Sequence, residues 1–281
     1  MSAIEEMAAA GKMSRRSLLT KFGAAGVGVA ATALLAGCGG SSSGGGGGVS
    51  QTDVLNFALN LEYLEAQFYS YAVHGVGLGV GDVGGTLPTI TPVAQVTLTG
   101  AELAIFTEIA SDELAHVRDL RSALGNNAVP CPNLDLAFAG NTTSVQALIT
   151  IAKAFEDVGV TAYAGASTLL SGQNLQYAAD ILAVEAFHSA NLRLLIAQNS
   201  YPTSVVDPDA PNGSKDILPP PSGTQYWATN SASIALNRNP SEVLSIVLGL
   251  MGKLTLGANS GGFFPNGLNG NIKSITTTTP A

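Results

Sequence analysis

Two stretches of this chain set a glutamate and a histidine three residues apart on a helical face that is otherwise apolar. The first runs through Phe106, Ile109, Glu113, His116, Leu120 and Leu124, and the second through Ile181, Glu185, His188, Leu192 and Leu195. Steps of three and four residues keep each set on one side of a helix. Such a side belongs in a core, where an unpartnered carboxylate costs several kcal/mol. The chain must therefore fold so that these groups meet partners inside it. A metal cation is one such partner.

Two further segments carry the same conflict. Leu55, Ala58, Glu62, Tyr69 and Ala72 share a face in one, and Ile149, Ala152, Glu156, Tyr163 and Leu170 roughly share one in the other. Together the periodicities predict four helices, over roughly 52–74, 99–124, 143–170 and 174–199. Thr52 or Asp53 is the expected cap of the first, Gly125 the stop of the second, and Thr143 or Ser144 the cap of the third. Ser171-Gly172 turns the chain so that the third and fourth helices are antiparallel neighbours. No segment alternates with period two, so no sheet is expected.

The two halves repeat each other. Glu62 is followed seven residues later by Tyr69, and Glu156 by Tyr163. Glu113-x-x-His116 continues to Arg121, and Glu185-x-x-His188 continues to Arg193 at the same spacing. One such motif arises easily by chance. Two, each preceded by a glutamate-bearing helix with the same Glu-to-Tyr interval, mark a built site.

Composition agrees with a helical reading. Hydrophobic residues make up 46% of the 281 and aromatics 6%, so the core must be built of Ala, Leu, Ile and Val, which suit close-packed helices. With 33 glycines, part of the chain is expected to be irregular. The formal charge is −8, and residues 38–281 alone, with 8 basic and 18 acidic residues, carry −10. That balance offers no basic surface for nucleic acid but can attract cations.

The order Glu, ExxH, Glu, ExxH resembles the ferritin-like di-iron and di-manganese carboxylate proteins. The wording of the helices, Leu-Asn-Phe-Ala-Leu-Asn-Leu-Glu-Tyr-Leu-Glu-Ala (55–66) and Ser-Asp-Glu-Leu-Ala-His-Val-Arg (111–118), resembles bacterial ferritin-like-domain proteins sometimes called desiccation-related. The likeness covers roughly residues 51–200 and implies an all-α, ferritin-like four-helix bundle. It further implies two metal ions bridged by Glu113 and Glu185, each capped by one of His116 and His188, with Glu62 and Glu156 as terminal carboxylates. Oxygen and imidazole ligands suit iron, placed ahead of manganese, and no thiolate set suggests structural zinc. Glu65, one turn after Glu62, also faces inward as an alternative or additional ligand; the repeat favours Glu62, because Glu65 corresponds to Gly159. Tyr69 and Tyr163 either hydrogen-bond the ligating carboxylates or simply pack in the core.

The first fifty residues read as an address. Arg15-Arg16 precede an apolar Ala/Gly-rich run, 23–37, and the combination resembles a twin-arginine export signal. The run is about 15 residues, short of the ~20 that cross a bilayer. It ends Leu35-Ala36-Gly37-Cys38, which resembles a lipoprotein box with Cys38 as the lipidated residue, and residues 38–50 form a Gly/Ser tether. The expected location is the periplasmic or cell-surface side, anchored to the membrane through Cys38.

Residues 201–281 are rich in Pro, Gly, Asn and Ser and are expected to form an irregular extension packed on the bundle. It would be anchored by Tyr226 and Trp227 and would contain one short apolar helix over 240–252. His74 would complement the dipole at the end of the first helix. Glu108, Asp112 and Asp157 are expected to face water, Arg121 and Arg193 to pair with acids near helix ends, and Cys131 to be an unreactive loop or core cysteine.

The function these features imply is that of an exported dinuclear metal protein with oxidase- or peroxide-type redox chemistry, with dioxygen or peroxide as partner and a homo-oligomer as a further expectation. The alternative is a stress-protective or structural helical module in which metal only joins helices. Metal storage is disfavoured, because the Gly-rich insertion at 75–97 and the C-terminal extension suit no compact shell subunit.

Overall fold

The computed structural model describes residues 48–140, 142–199, 201, 235–250 and 252–279, and Gly48–Ala281 forms one compact unit. Expectations for residues 1–37, Cys38, Tyr226 and Trp227 lie outside the described residues. The elements in chain order are α1 (Gln51–His74), β1 (Ile90–Thr91), α2 (Gly100–Leu124), β2 (Leu134–Asp135), α3 (Val145–Ala166), α4 (Gly172–Gln198) and α5 (Pro240–Val247).

The four long helices pair as α1 with α2 and α3 with α4, and the pairs meet along α1–α3 and α2–α4. This is the expected four-helix bundle, with adjustments at the ends. Ser50, rather than Thr52 or Asp53, caps α1 through a reciprocal capping box: its hydroxyl accepts from the Asp53 N–H, and the Asp53 carboxylate accepts from the Ser50 N–H at 3.0 Å. Ser144 caps α3 as expected. That helix tightens into a 3-10 turn at Ser167–Leu169 before the Ser171 turn. The extra helix α5 starts at Pro240 behind an Asn239–Glu242 capping box but ends at Val247, five residues short of the predicted end. Gly249, at φ 74° just past its C-cap Leu248, takes the left-handed conformation that stops it.

Every residue of α1 from Val54 to Ser70 is buried. One face meets the other three helices, and the opposite face is covered by the long loops and the C-terminal extension. Its polar residues satisfy those loops. Asn56 bonds the Asn127 carbonyl and the Val129 N–H, both at 3.0 Å, and Asn60 exchanges two hydrogen bonds with the Asn269 backbone. Gln67 accepts from the Leu78 N–H at 3.1 Å. Described parts of the C-terminal segment thus pack on α1, and Phe263 continues the aromatic core by edge contacts with Phe155 and Phe138. A two-residue parallel bridge, Ile90–Thr91 with Leu134–Asp135, ties the two long loops together. It is too short to have an alternating pattern that the sequence could display.

Candidate metal centre

The four helices bring Glu62 (α1), Glu113 and His116 (α2), Glu156 (α3), and Glu185 and His188 (α4) to one place in the middle of the bundle. All four carboxylates are completely shielded from solvent, and the two imidazoles are nearly so. Their ligand-type atoms form two groups, each lying within 4.8 Å of one another: Glu62, Glu113, His116 and Glu185, and Glu113, Glu156, Glu185 and His188. Glu113 and Glu185 belong to both groups. The His116 and His188 ring centroids stand 6.2 Å apart.

Both imidazoles face the centre with Nδ1. His116 Nδ1 lies 3.2 Å from Glu62, 3.3 Å from Glu113 and 3.6 Å from Glu185. His188 Nδ1 lies 3.0 Å from Glu113 Oε1 and 3.1 Å from Glu156. The bond to Glu156 is well aligned, whereas the approach to Glu113 Oε1 is close without being aligned. Glu65 is buried nearby, yet among the described residues it belongs to neither group.

The tyrosines cross between the halves. The Tyr69 hydroxyl on α1 donates to Glu156 on α3, and the Tyr163 hydroxyl on α3 donates to Glu62 on α1. Each half therefore orients the other half's carboxylate, so the equal Glu-to-Tyr intervals reflect an internal two-fold. Burial, then the facing Glu156 or Glu62 carboxylate, pushes both phenols well above their ordinary range and keeps them as neutral donors.

A second pair of contacts obeys the same two-fold. The residue after each terminal glutamate receives the arginine five positions beyond each histidine: Arg121 donates to the Tyr63 hydroxyl at 2.6 Å, and Arg193 to Asp157 at 2.6 Å. Asp157 is thus buried rather than facing water. Lys153 at 2.9 Å and the Ser189 hydroxyl at 2.6 Å also hold it. Arg193 thus pairs with an acid as expected, whereas Arg121, in the last turn of α2, bonds a tyrosine instead. Asp112 also departs from expectation, because its carboxylate accepts from His188 Nε2 at 3.0 Å while remaining about 40% exposed. Glu108 is exposed as expected, and Cys131 is buried away from the centre with its thiol pushed up to about 12 by burial.

Electrostatics show how much negative charge is confined here. Burial, then Glu113, holds Glu185 well above the usual carboxylate range. Burial, then Glu62 and Glu156, pushes Glu113 up to about 7. Burial, then Glu113, does the same in direction for Glu65. For Glu62 burial acts upward but is outweighed by His116, and its pKa is lowered. Burial would lower both histidines, but the carboxylates around them win and push His116 and His188 up to about 11. The centre keeps its charge down by holding protons on Glu185 and in part on Glu113, and a cation is the alternative to those protons.

The family model described as the ferritin-like domain matches residues 50–198, more than half of the chain. The chain belongs to the ferritin-like family. Among curated proteins, this ferritin-like chain is 27% identical over 270 residues to the ferritin-like catalase Nec2 of Nesocodon mauritianus, an alignment covering 78% of this chain and 84% of that protein. It is also 30% identical over 182 residues to the desiccation-related protein PCC13-62 of Craterostigma plantagineum, covering 57% of this chain and 56% of that protein.

The ferritin-like chain's own atoms fit a bound cation. Glu113 Oε1 and both oxygens of Glu185 are shut from solvent and accept no hydrogen bond among the described residues. Buried carboxylate oxygens without donors are otherwise rare, because each carries a large desolvation cost. They belong to the two glutamates common to both groups. Gly159 keeps the space they occupy, since a Cβ there would overlap Glu185 Oε2 and come within 2.9 Å of its Cδ. A donor set of carboxylates and imidazoles suits a borderline or hard divalent ion such as iron or manganese.

Proposed function

We propose that this chain holds two metal ions, iron ahead of manganese, between its helix pairs and disproportionates hydrogen peroxide to dioxygen and water. The observation that supports this most directly is the overlap of the two groups at Glu113 and Glu185, three of whose four oxygens accept no hydrogen bond among the described residues. Glu113 and Glu185 would bridge the ions, His116 with Glu62 would complete one position, and His188 with Glu156 the other. The ions would supply the two electrons taken from one peroxide and given to the next. The name of the relative described as a ferritin-like catalase favours peroxide over a larger substrate.

The chain's residues would do the rest. Tyr69 and Tyr163 fix the terminal carboxylates through neutral hydroxyls, so those carboxylates stay oriented while charge on the centre changes. Full burial of the four glutamates excludes bulk water and admits only small molecules. Glu65, kept protonated by burial and its neighbours, is a group able to hold a proton as it passes from one peroxide to the other.

The first test is elemental analysis of the purified chain, followed by oxygen evolution on adding peroxide. About two equivalents of iron or manganese, lost in an E113A/E185A variant together with oxygen evolution, is the expected result. A metal-loaded chain that evolves no oxygen, yet melts lower when stripped, would support the structural module instead.

We also propose export by the twin-arginine route and attachment through Cys38, which the Arg15-Arg16 pair and the Leu35–Cys38 box support. Among the described residues no helix is long and apolar enough to cross a membrane. Fractionation should find the chain membrane-associated and a C38A variant released. Wild-type chain in the soluble cytosolic fraction would refute the proposal.

A further inference from the structure

The internal two-fold that orders the centre fails at the outer nitrogens of its two histidines. Asp112, the residue before Glu113, sets a carboxylate oxygen 3.0 Å from His188 Nε2, on the far side of the ring from the centre. The residue before Glu185 is Val184, and all the contacts of His116 with carboxylates run through its Nδ1. Among the described residues, His116 Nε2 has no carboxylate against it. The two tyrosine–glutamate bonds, by contrast, are matched across the halves. At the outer nitrogens the inequality therefore lies in one residue, Asp112.

A carboxylate on the outer nitrogen of an imidazole fixes its tautomer and ring orientation and makes the inner nitrogen a stronger donor to a cation. A valine at the equivalent position supplies neither effect. From this we infer that the two metal positions are unequal, and that the position formed with His188 and Glu156 binds its ion first and more tightly because Asp112 backs His188. The inference rests on the dinuclear reading above. It goes beyond that reading in assigning an order of filling and naming the residue that sets it. Asp112 acts through His188 and is a positioning residue. Because it is about 40% exposed, it can be changed without opening a buried void.

The test is stepwise addition of Mn(II) to the metal-stripped full chain, followed by calorimetry and by the electron spin resonance of isolated against coupled Mn(II). Repulsion between two ions separates the steps in any such centre, so the diagnosis lies in how each variant moves each step. In D112A the first step should weaken by about tenfold to a hundredfold while the second changes little. In V184D, which gives the other half its missing carboxylate, the second step should strengthen and the first should hold. D112N keeps the shape and loses the charge, and should fall between wild type and D112A. If D112A leaves the first step unmoved, or if both steps weaken equally in D112A, the inference is overturned. Failure of the wild-type chain to bind a second ion would instead overturn the dinuclear reading, so the two failures are distinguishable.

Discussion

Gly159→Ala separates metal binding from folding at a single atom. Glycine in a helix interior costs about 0.5–1 kcal/mol relative to alanine, so by helix propensity the change should stabilise α3. The new Cβ would overlap Glu185 Oε2 and lie 2.9 Å from Cδ, so the carboxylate must swing away. It is the end of a flexible side chain whose oxygens accept no hydrogen bond, so moving it forfeits little in the stripped protein. The stripped variant should therefore melt within about 1 kcal/mol of wild type, or slightly higher. Metal is a different matter, because the displaced group is common to both candidate positions. At a metal concentration 100 times Kd, binding stabilises the native state by about 2.7 kcal/mol, which in a domain of this size raises Tm by roughly 5–10 °C. A hundredfold loss of affinity would reduce that gain to about 0.4 kcal/mol, near 1 °C. Calorimetric scans of both proteins, stripped and with Mn(II) added, measure all four values. The reasoning is refuted if Gly159→Ala keeps the full metal-dependent rise, or if the stripped variant is strongly destabilised.

The other consequences are of different kinds. Gly165→Ala drives a Cβ into the Arg238 backbone carbonyl, 2.9 Å from its carbon, where nothing flexible can yield; it should cost about 1–3 kcal/mol in urea unfolding with or without metal, and wild-type stability would count against the packing described. Asp157→Ala takes from Lys153 and Arg193 the carboxylate they share and should destabilise by about 3–5 kcal/mol in the same assay, whereas a loss under 1 kcal/mol would mean the cluster is weakly formed. Glu113 is raised from 4.5 to about 7 on folding, so the native state holds its proton where the unfolded chain has lost it. Its contribution is present below pH 4.5 and fades towards 7, and that of His116 and His188, raised from 6.5 to about 11, fades above 6.5. Glu62, lowered, contributes stability that is present above 4.5 and is lost as the pH falls below it. The stripped chain should therefore lose Tm steadily from about pH 5 to 9, and metal should bind more tightly over the same interval as protons leave its ligands; a stripped Tm that rises with pH would contradict both.

How much of this was legible beforehand follows from what a helical spacing encodes. Intervals of three, four and seven fix which face a residue occupies, so the bundle and its six inward Glu and His residues could be read directly, along with the choice of Glu62 over Glu65 for the two groups. Spacing does not encode which residue of a neighbouring helix lies opposite. Asp157 sits off the apolar stripe and was assigned to water, although Lys153, one turn earlier, already offered it an ion pair at i,i+4; what buries it is Arg193 and Ser189 on another helix. Asp112 was missed for the same reason, since its partner His188 is 76 residues away. The repeat marks Gly159 only as the counterpart of Glu65, whereas its physical role is the room it leaves Glu185.

A sharper rule is contained in the repeat itself. Where the halves agree, at 69/163 and 121/193, the residues hold something both halves need: a terminal carboxylate or the turn beside it. Where they disagree, at 65/159, 112/184 and 63/157, each position touches the centre or its immediate support, and the disagreement changes charge. The two halves are thus alike in how they hold their terminal glutamates and unlike in the charges they set beside them.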